Sequence, residues 1–291
     1  MIIVTGANGK LGRAVVERLL GRVPAEELGV SVRDPEKAGP LAAQGVRVRQ
    51  GDFGDPEGLA HAFEGASRVL VVSANSTGET AVRLNTAAIR SAKAAGAERT
   101  LYTSHMGASP TSLFPPMPVH AATESALQAS GVPFTSLRNG FYTSTVLQLL
   151  GSAAETGELA APEDGPVSWT AHADLAEAAA VALTGGGLDG VTGGVTPPLT
   201  GSEALDLSGV AALVSELTGR PVRRVVVPDA EYRAGLLGRG LPEAAVNIGM
   251  GLFLASRRGE FARTDPTLER LLGRPTVSVR DVLEEALLPT A

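Results

Sequence analysis

Residues 1–20 read MIIVTGANGKLGRAVVERLL, and this stretch decides the fold. Ile2-Ile3-Val4 is a short β-branched run typical of a buried strand. Apolar residues then recur at every fourth position from Leu11 to Leu19, which indicates a helix with one apolar face. The residues between these two runs are rich in glycine. A strand, a glycine-rich turn and an amphipathic helix in this order predict the first βα unit of a dinucleotide-binding sheet.

The turn Gly6-Ala7-Asn8-Gly9-Lys10-Leu11-Gly12 has the spacing G-x-x-G-x-x-G. One glycine permits the tight turn, the next lets the backbone approach a pyrophosphate, and the third allows close packing of helix on strand. The pyrophosphate then lies against free N–H groups and the positive end of the helix dipole. We therefore expect cofactor contacts from Gly6, Asn8, Gly9, Lys10, Leu11 and Gly12.

The first half of the chain alternates short apolar runs with longer helical patterns. Such repetition predicts an α/β fold built on a doubly wound parallel sheet, the Rossmann arrangement, with right-handed crossovers. After the strand at Ile2-Ile3-Val4, the expected strands are Gly29–Val32, Val46–Val48, Val69–Val72, Thr100–Thr103 and Phe134–Leu137.

The character of the sequence changes after about residue 150, where loops become rich in glycine and proline. Helical patterns continue, and short strands are expected at Val191-Thr192 and Arg224–Val227. We expect residues 1–150 to form the NADP-binding Rossmann domain, with its sheet completed by 165–195. Residues 196–291 then form a smaller, mostly helical substrate-binding lobe over the carboxyl edge of the sheet, where ligands bind in such folds.

Composition excludes several classes of function. The net charge is −6, which argues against broad binding to nucleic acid or to anionic membranes. The absence of cysteine excludes disulfides and thiolate metal sites, and no metal site is expected. No signal peptide and no apolar stretch of membrane-spanning length are evident. We expect a cytoplasmic protein that acts on a small molecule, with a homodimer as the candidate assembly.

The end of the second strand distinguishes NAD from NADP. An acidic residue about 20 positions after the glycine loop would hold a ribose 2′-hydroxyl and favour NAD. This chain has Arg33 there, a guanidinium suited to a 2′-phosphate. Lys37, one turn into the next helix, adds a second cation. The pair predicts NADPH, provided that the carboxylate of Asp34 points away from the phosphate. The alternative for Arg33 is a surface charge without a ligand.

Two further strand ends carry candidate cofactor contacts. Asp52 follows the third strand, where its carboxylate can accept from the adenine amino group while the N–H of Phe53 bonds the ring. The fourth strand ends at Ser73-Ala74-Asn75, whose small side chains would let the nicotinamide half of the cofactor pass. The alternatives are a helix N-cap or a loop turn at Asp52, and a packing role for Ser73, Ala74 and Asn75.

The proton-donating pair Tyr-x-x-x-Lys of short-chain dehydrogenases is absent. No lysine follows any of the three tyrosines at that spacing. The corresponding helix carries His120 and Glu124, which are one turn apart and share a face. A histidine can donate a proton near neutral pH, but His120 can also line the pocket or serve the fold. All three roles stay open for it at this point.

The end of the sixth strand combines polar and aromatic residues where the sheet edge faces the nicotinamide. Asn139 can bond the carboxamide or a substrate carbonyl, and Gly140 permits close approach. Phe141 and Tyr142 can pack on a flat ring, and Tyr142 is a second candidate catalytic residue. The alternative for this segment is a strand end that packs into the core. Further along, His172 is within reach of the cofactor, and Asp174 is expected to cap a helix.

These segments resemble the NmrA-like branch of the atypical short-chain dehydrogenases, and within it the type 2 NAD(P)H:quinone oxidoreductases. The resemblance covers essentially the whole chain. It implies NADPH binding through the glycine loop, Arg33, Ser73–Asn75 and 139–144, a quinone pocket between two lobes, and His-x-x-x-Glu in place of Tyr-x-x-x-Lys. The matching segments include Thr5–Gly12, Val32–Pro35, Gly51–Phe53, Tyr102–Ser104, Arg138–Tyr142, His172–Asp174, Thr218–Pro221 and Gly273–Pro275.

Three functions compete. The first is an NADPH-dependent reductase of a quinone-like acceptor, which needs little acid catalysis because a quinone accepts hydride readily. The second is a reductase of a biosynthetic carbonyl or enone, which would depend on His120 or Tyr142. The third is a regulator that senses NADP(H) without turnover. The first agrees best with the missing Tyr-x-x-x-Lys pair.

Overall fold

The computed structural model describes residues 1–185 and 194–288. Its centre is a six-stranded parallel sheet in the order β3-β2-β1-β4-β5-β6, which confirms the expected doubly wound Rossmann fold. The strands are β1 (Ile2–Thr5), β2 (Leu28–Val32), β3 (Arg47–Gln50), β4 (Arg68–Val71), β5 (Arg99–His105) and β6 (Phe134–Asn139).

Helices cover both faces of this sheet because neighbouring strand residues point to opposite sides. Val4 packs in an apolar cluster on one face of the sheet, whereas Ile3 packs in a second apolar cluster on the other face. The helices are α1 (Lys10–Leu20), α2 (Gly39–Ala42), α3 (Pro56–Ala62), α4 (Gly78–Ala94), α5 (Pro116–Ser130), α6 (Ser144–Leu150), α7 (Ala153–Thr156), α8 (His172–Leu183), α9 (Leu207–Thr218), α10 (Asp229–Gly238), α11 (Glu243–Arg257), α12 (Thr267–Leu272) and α13 (Val279–Leu287). None of the helices described is long and apolar enough to cross a bilayer.

The sheet is extended beyond β6 by a short segment of the later chain. Val195 bridges to Ser136, and Leu199 bridges to Asn139, both in parallel. The expected strand at Val191-Thr192 lies outside the described residues. The division of the chain at residues 150 and 196 stays a prediction.

The remaining strands build small sheets beside the carboxyl edge of the main sheet. They are β7 (Phe141–Tyr142), β8 (Glu158–Ala161), β9 (Trp169–Thr170) and β10 (Arg223–Val226), of which β7 pairs with β9 and β8 pairs with β10. Arg224 of β10 forms an ion pair with Asp164 at 3.1 Å, and both side chains are largely buried. A separate apolar cluster joins α6, α9, α11 and α13 in this region.

The expected role of Asp174 as a helix cap is wrong. The N-cap of α8 is Ala171, and Asp174 lies inside the first turn with no exposed surface. Its carboxylate forms an ion pair with Arg274 at 2.7 Å and accepts a hydrogen bond from the N–H of Val277 at 2.7 Å. A carboxylate buried in this way needs both partners. Asp174 therefore ties the segment before α13 to the Rossmann half.

Candidate functional site

One large cavity of about 1240 Å³ opens at the carboxyl edge of the sheet. Ligand pockets are usually about 300–1,000 Å³, so this cavity has room for a dinucleotide and a second molecule. It is lined at one end by the glycine loop and at the other by α10 and α11. The lining includes the expected site residues Gly6, Gly9, Lys10, Leu11, Gly12, Ser73, Ala74, Asn75, His120, Phe141, Tyr142 and His172.

The glycine loop has the geometry that a pyrophosphate requires. Gly6 has a φ of +65°, a backbone conformation that favours glycine. Gly9 is the N-cap of α1 and provides no side-chain cap, so the first N–H groups of the helix are left for a ligand. A Cβ on Gly12 would lie 2.5 Å from the carbonyl oxygen of Gly6. The residues present therefore fit a bound dinucleotide.

Asn8 lies in the same loop but outside the cavity lining. Its Nδ2 donates to the carbonyl oxygen of Asp34 at 2.7 Å, which joins the loop to the end of β2. Thr5, which sequence reasoning did not select, accepts a hydrogen bond at its Oγ1 from the N–H of Val72 at 2.9 Å. These two contacts fix the loop relative to the neighbouring strands.

The expected phosphate-binding cations lie together just beyond β2. Arg33 is exposed, and Lys37 forms an ion pair with Asp34 at 3.0 Å. A hydrogen bond from Lys37 holds the pKa of the Asp34 carboxyl below its usual value. Nearby, the guanidinium of Arg13 donates to the carbonyl oxygen of Lys37 at 3.1 Å, which joins α1 to the segment after β2.

The adenine side of the site is less enclosed. Asp52 is exposed, and its Oδ1 accepts a hydrogen bond from the N–H of Gly54 at 2.7 Å. Phe53 is half-buried and packs against the cluster under α3 and α4. Neither residue lines the cavity, so their contact with adenine stays a prediction.

The loop after β4 is held by two buried side chains. The N–H of Ser73 donates to Oγ1 of Thr103 at 2.9 Å, and the N–H of Ala74 donates to Oδ1 of Asn85 at 2.8 Å. Asn85 is fully buried in α4 and was not selected from the sequence. Its amide therefore fixes the backbone where the nicotinamide half is expected to pass.

A chain of hydrogen bonds runs from this amide to the cavity wall. Nδ2 of Asn85 donates to the hydroxyl oxygen of Tyr102 at 3.2 Å, and this hydroxyl lies 2.9 Å from Nδ1 of His120. Burial raises the pKa of Tyr102 and lowers the pKa of His120 to about 4. His120 is therefore a neutral imidazole at pH 7, and the cavity-lining role expected for it is compatible with this arrangement.

His120 and Glu124 make hydrogen bonds to different partners. The carboxylate of Glu124 accepts hydrogen bonds from Arg138, at 2.7 Å for Nη2 and 3.0 Å for Nε, and from the hydroxyls of Ser104 and Ser136. Although burial by itself raises the pKa of Glu124, the bonds from Arg138 and Ser104 hold it below its usual value. Glu124 is thus a fixed anion that joins α5 to β5 and β6, away from the cavity lining.

The residues after β6 separate into two groups. Asn139 and Gly140 are packed beneath the surface, and a Cβ on Gly140 would lie 2.1 Å from Oγ1 of Thr170, so packing explains that glycine. Tyr142 lines the cavity, and its ring lies 4.1 Å from that of His172 between centroids. Burial raises the pKa of Tyr142, and burial with the nearby Lys10 lowers that of His172 to about 4.

His105, the last residue of β5, also lines the cavity and was not selected from the sequence. Its ring stacks on that of His120, with centroids 6.2 Å apart. Two imidazoles therefore share one wall, next to the aromatic ring of Phe141, whose centroid lies 5.3 Å from that of His105.

Comparison with known proteins gives consistent matches over nearly the whole chain. A family described as NAD(P)H-binding matches residues 6–185. Quinone oxidoreductase 2 of Escherichia coli is 34% identical, covering 97% of this chain and 96% of that protein. An NmrA-like family domain-containing oxidoreductase of Aspergillus flavus is 28% identical, covering 98% and 94%.

Solved structures agree with these matches. An NADPH-dependent quinone oxidoreductase from Escherichia coli, in complex with NADPH, has a TM-score of 0.91 at 33% identity and covers 98% of this chain and 99% of that one. The triphenylmethane reductase of Citrobacter sp., in complex with NADP(H), has a TM-score of 0.91 at 32% identity and covers 99% and 100%.

Proposed function

The chain belongs to the NmrA-like atypical short-chain dehydrogenases/reductases, an NAD(P)H-binding family, and we propose that it transfers a hydride from NADPH to a quinone-like acceptor. It is an NAD(P)H-dependent oxidoreductase with a Rossmann fold. The names of its relatives include a quinone oxidoreductase and a triphenylmethane reductase, both of which act on conjugated ring systems.

The neutral state of the cavity histidines carries the proposal. Burial keeps the pKa of His120 at about 4 and that of His105 well below its usual value. Neither ring therefore holds an acidic proton at pH 7, and burial raises the pKa of Tyr142, the other expected donor, which makes its phenol a weaker acid. Reduction of an isolated carbonyl leaves a strongly basic alkoxide, which calls for such an acid. A reduced quinone anion is stabilised by its aromatic ring, so a hydrogen bond from a neutral donor is sufficient.

The cavity residues supply position and hydrogen bonding. NADPH, when bound, supplies the hydride from its nicotinamide ring. Asn85 and Thr103 hold the loop at Ser73 and Ala74, which fixes one wall of the cavity. The aromatic ring of Phe141 offers a flat apolar face to the acceptor. Orientation and a preformed N–H donor then lower the barrier.

A steady-state assay of NADPH oxidation with 1,4-benzoquinone tests the proposal. The decrease in absorbance of the reduced nicotinamide monitors turnover, and we expect a rate above that measured without protein. A rate equal to this background would contradict the proposal. Equal affinity for NADPH and NADP⁺, with no turnover on any acceptor, would instead favour a sensing role.

Arg33 gives a prediction about cofactor choice. Replacing Arg33 with alanine should raise the Kd for NADPH about 10- to 100-fold, because a hydrogen bond to a charged group contributes about 1.5–3 kcal/mol. The Kd for NADH should change little, since NADH lacks the 2′-phosphate. Fluorescence titration of both cofactors measures the two constants. Arg90, an exposed arginine on α4, provides the control substitution Arg90→Ala. Equal losses for NADPH and NADH would contradict a phosphate contact.

A further inference from the structure

His105 lies in surroundings that would suit an apolar side chain. Its ring centroid lies 5.3 Å from that of Phe141, 5.5 Å from that of Phe261 and 6.4 Å from that of Phe114. The ring of His120 covers another side at 6.2 Å. Placing an imidazole here costs the hydration of two polar nitrogens. A polar ring in an aromatic site therefore calls for a role for each nitrogen.

The role of Nδ1 is local. It accepts a hydrogen bond from the N–H of Gly107 at 3.1 Å. Because an accepting nitrogen carries no proton, the neutral ring has its proton on Nε2. Burial keeps the pKa of His105 well below its usual value, so this neutral form persists around pH 7. The turn after β5 thus fixes His105 as an Nε2–H donor.

The Nε2–H group has no protein acceptor within residues 1–185 and 194–288, and the ring lines the cavity. His120 lies beside it, and its Nδ1 is 2.9 Å from the hydroxyl oxygen of Tyr102, which also accepts from Nδ2 of Asn85. Burial keeps this second imidazole neutral too, so it carries one ring proton. Two neutral imidazoles therefore lie side by side on one wall of the cavity.

We propose that His105 is a catalytic residue that donates a hydrogen bond from Nε2 to the acceptor oxygen that gains negative charge. This inference rests on the proposed reductase function. The acceptor takes a hydride with its two electrons from NADPH, a new bond to hydrogen forms on the acceptor, and NADP⁺ remains. One acceptor oxygen carries the negative charge until a proton from water neutralises it. A donor fixed in advance stabilises that charge without reorganisation.

Two substitutions at this position separate hydrogen bonding from packing. His105→Phe should lower kcat with benzoquinone about 10- to 100-fold. This is less than the roughly 100- to 1,000-fold cost of removing one oxyanion-hole donor in other enzymes, because the ring of the reduced quinone already spreads the charge. His105→Gln, whose amide keeps an N–H donor, should recover most of that loss. The Kd for NADPH should stay within about twofold in both variants, which also reports that the cofactor site is intact. His61→Gln, on the surface of α3, is the matched control.

A second acceptor sharpens the test. A cationic triphenylmethane dye takes hydride on carbon and becomes neutral, so no oxygen gains charge. The loss in His105→Phe should therefore be confined to benzoquinone. Equal losses with both acceptors, equal losses in the Phe and Gln variants, or an unchanged kcat in His105→Phe would overturn the role of His105. Absence of benzoquinone turnover in the unaltered protein would overturn the proposed function instead.

Discussion

Replacing Gly12 with alanine is expected to weaken NADPH binding at least about 100-fold, which corresponds to about 2.7 kcal/mol. The added Cβ would lie 2.5 Å from the carbonyl oxygen and 2.8 Å from the carbonyl carbon of Gly6. Both atoms belong to the backbone of the loop, so the loop itself must move. In a helix, alanine is about 1 kcal/mol more favourable than glycine, but this gain stabilises α1 and does not relieve the clash in the loop. NADPH binding should therefore weaken even though the substitution favours the helix.

The other end of the same helix offers a matched control. Gly21 follows α1 in a right-handed conformation, and a Cβ there would lie 3.6 Å from the carbonyl oxygen of Arg18, an ordinary van der Waals contact. Gly21→Ala should leave the Kd for NADPH unchanged. Titration of both variants by nicotinamide fluorescence, with circular dichroism to follow the fold, checks the comparison. A Gly12→Ala protein that binds NADPH normally would show that the loop does not carry the pyrophosphate.

Replacing Glu124 with glutamine is expected to lower the free energy of unfolding by about 3–5 kcal/mol, because it leaves the partly buried guanidinium of Arg138 without its anion. Glu124 is 8% exposed, and its carboxylate accepts four hydrogen bonds from three residues. In glutamine, an NH2 group replaces one of the two accepting carboxylate oxygens. This group cannot accept a hydrogen bond from the N–H groups of Arg138. Denaturant titration measures the change, and the midpoint should fall with little change in slope.

An exposed ion pair gives the comparison. On the surface, Nη2 of Arg280 lies 2.6 Å from Oε2 of Glu216. Glu216→Gln should change the free energy of unfolding by less than about 1 kcal/mol. The double variant Glu124→Gln/Arg138→Gln should regain part of the loss, since no unpaired charge remains. Similar small losses for Glu124→Gln and Glu216→Gln would mean that the buried pair contributes little.

Most of the sheet could be predicted because each strand carries its own apolar signal. The continuous run Val69–Val72 predicted β4, and the glycine loop predicted both the turn and its ligand class. β8 was missed because Glu158-Leu159-Ala160-Ala161 contains no β-branched residue and is only four residues long. Its pairing with β10, more than sixty residues away, leaves no local pattern.

The expected strand at β5 was too short to include His105. The expected strand ended at Thr103, where the apolar run stops. In the structure, Ser104 and His105 continue the pairing, opposite Arg138 and Asn139 of β6. Backbone pairing with β6, not side-chain character, sets the end of the strand. His105 therefore reaches the cavity edge although the sequence around it suggests a loop.

The contacts of Asn85 depend wholly on tertiary structure. Its amide meets Tyr102, 17 residues later, and Thr123, 38 residues later. On α4, Asn85 shares the buried face of Ala81 and Ile89, so helical periodicity could have placed it in the interior. Only the packing of α4 and α5 on the sheet brings the three polar groups together, so its partners could not have been predicted from the sequence.

The buried position of Asp174 has a consequence for how the chain folds during synthesis. Its carboxylate accepts a hydrogen bond from the N–H of Val277, which lies 103 residues later in the chain. Domains generally begin to fold from their N-terminal side while the ribosome is still adding residues. Here α8 emerges with a carboxylate that has no partner until about a hundred more residues are translated. The nucleotide-binding half thus completes its packing late, after nearly all of the second half has emerged.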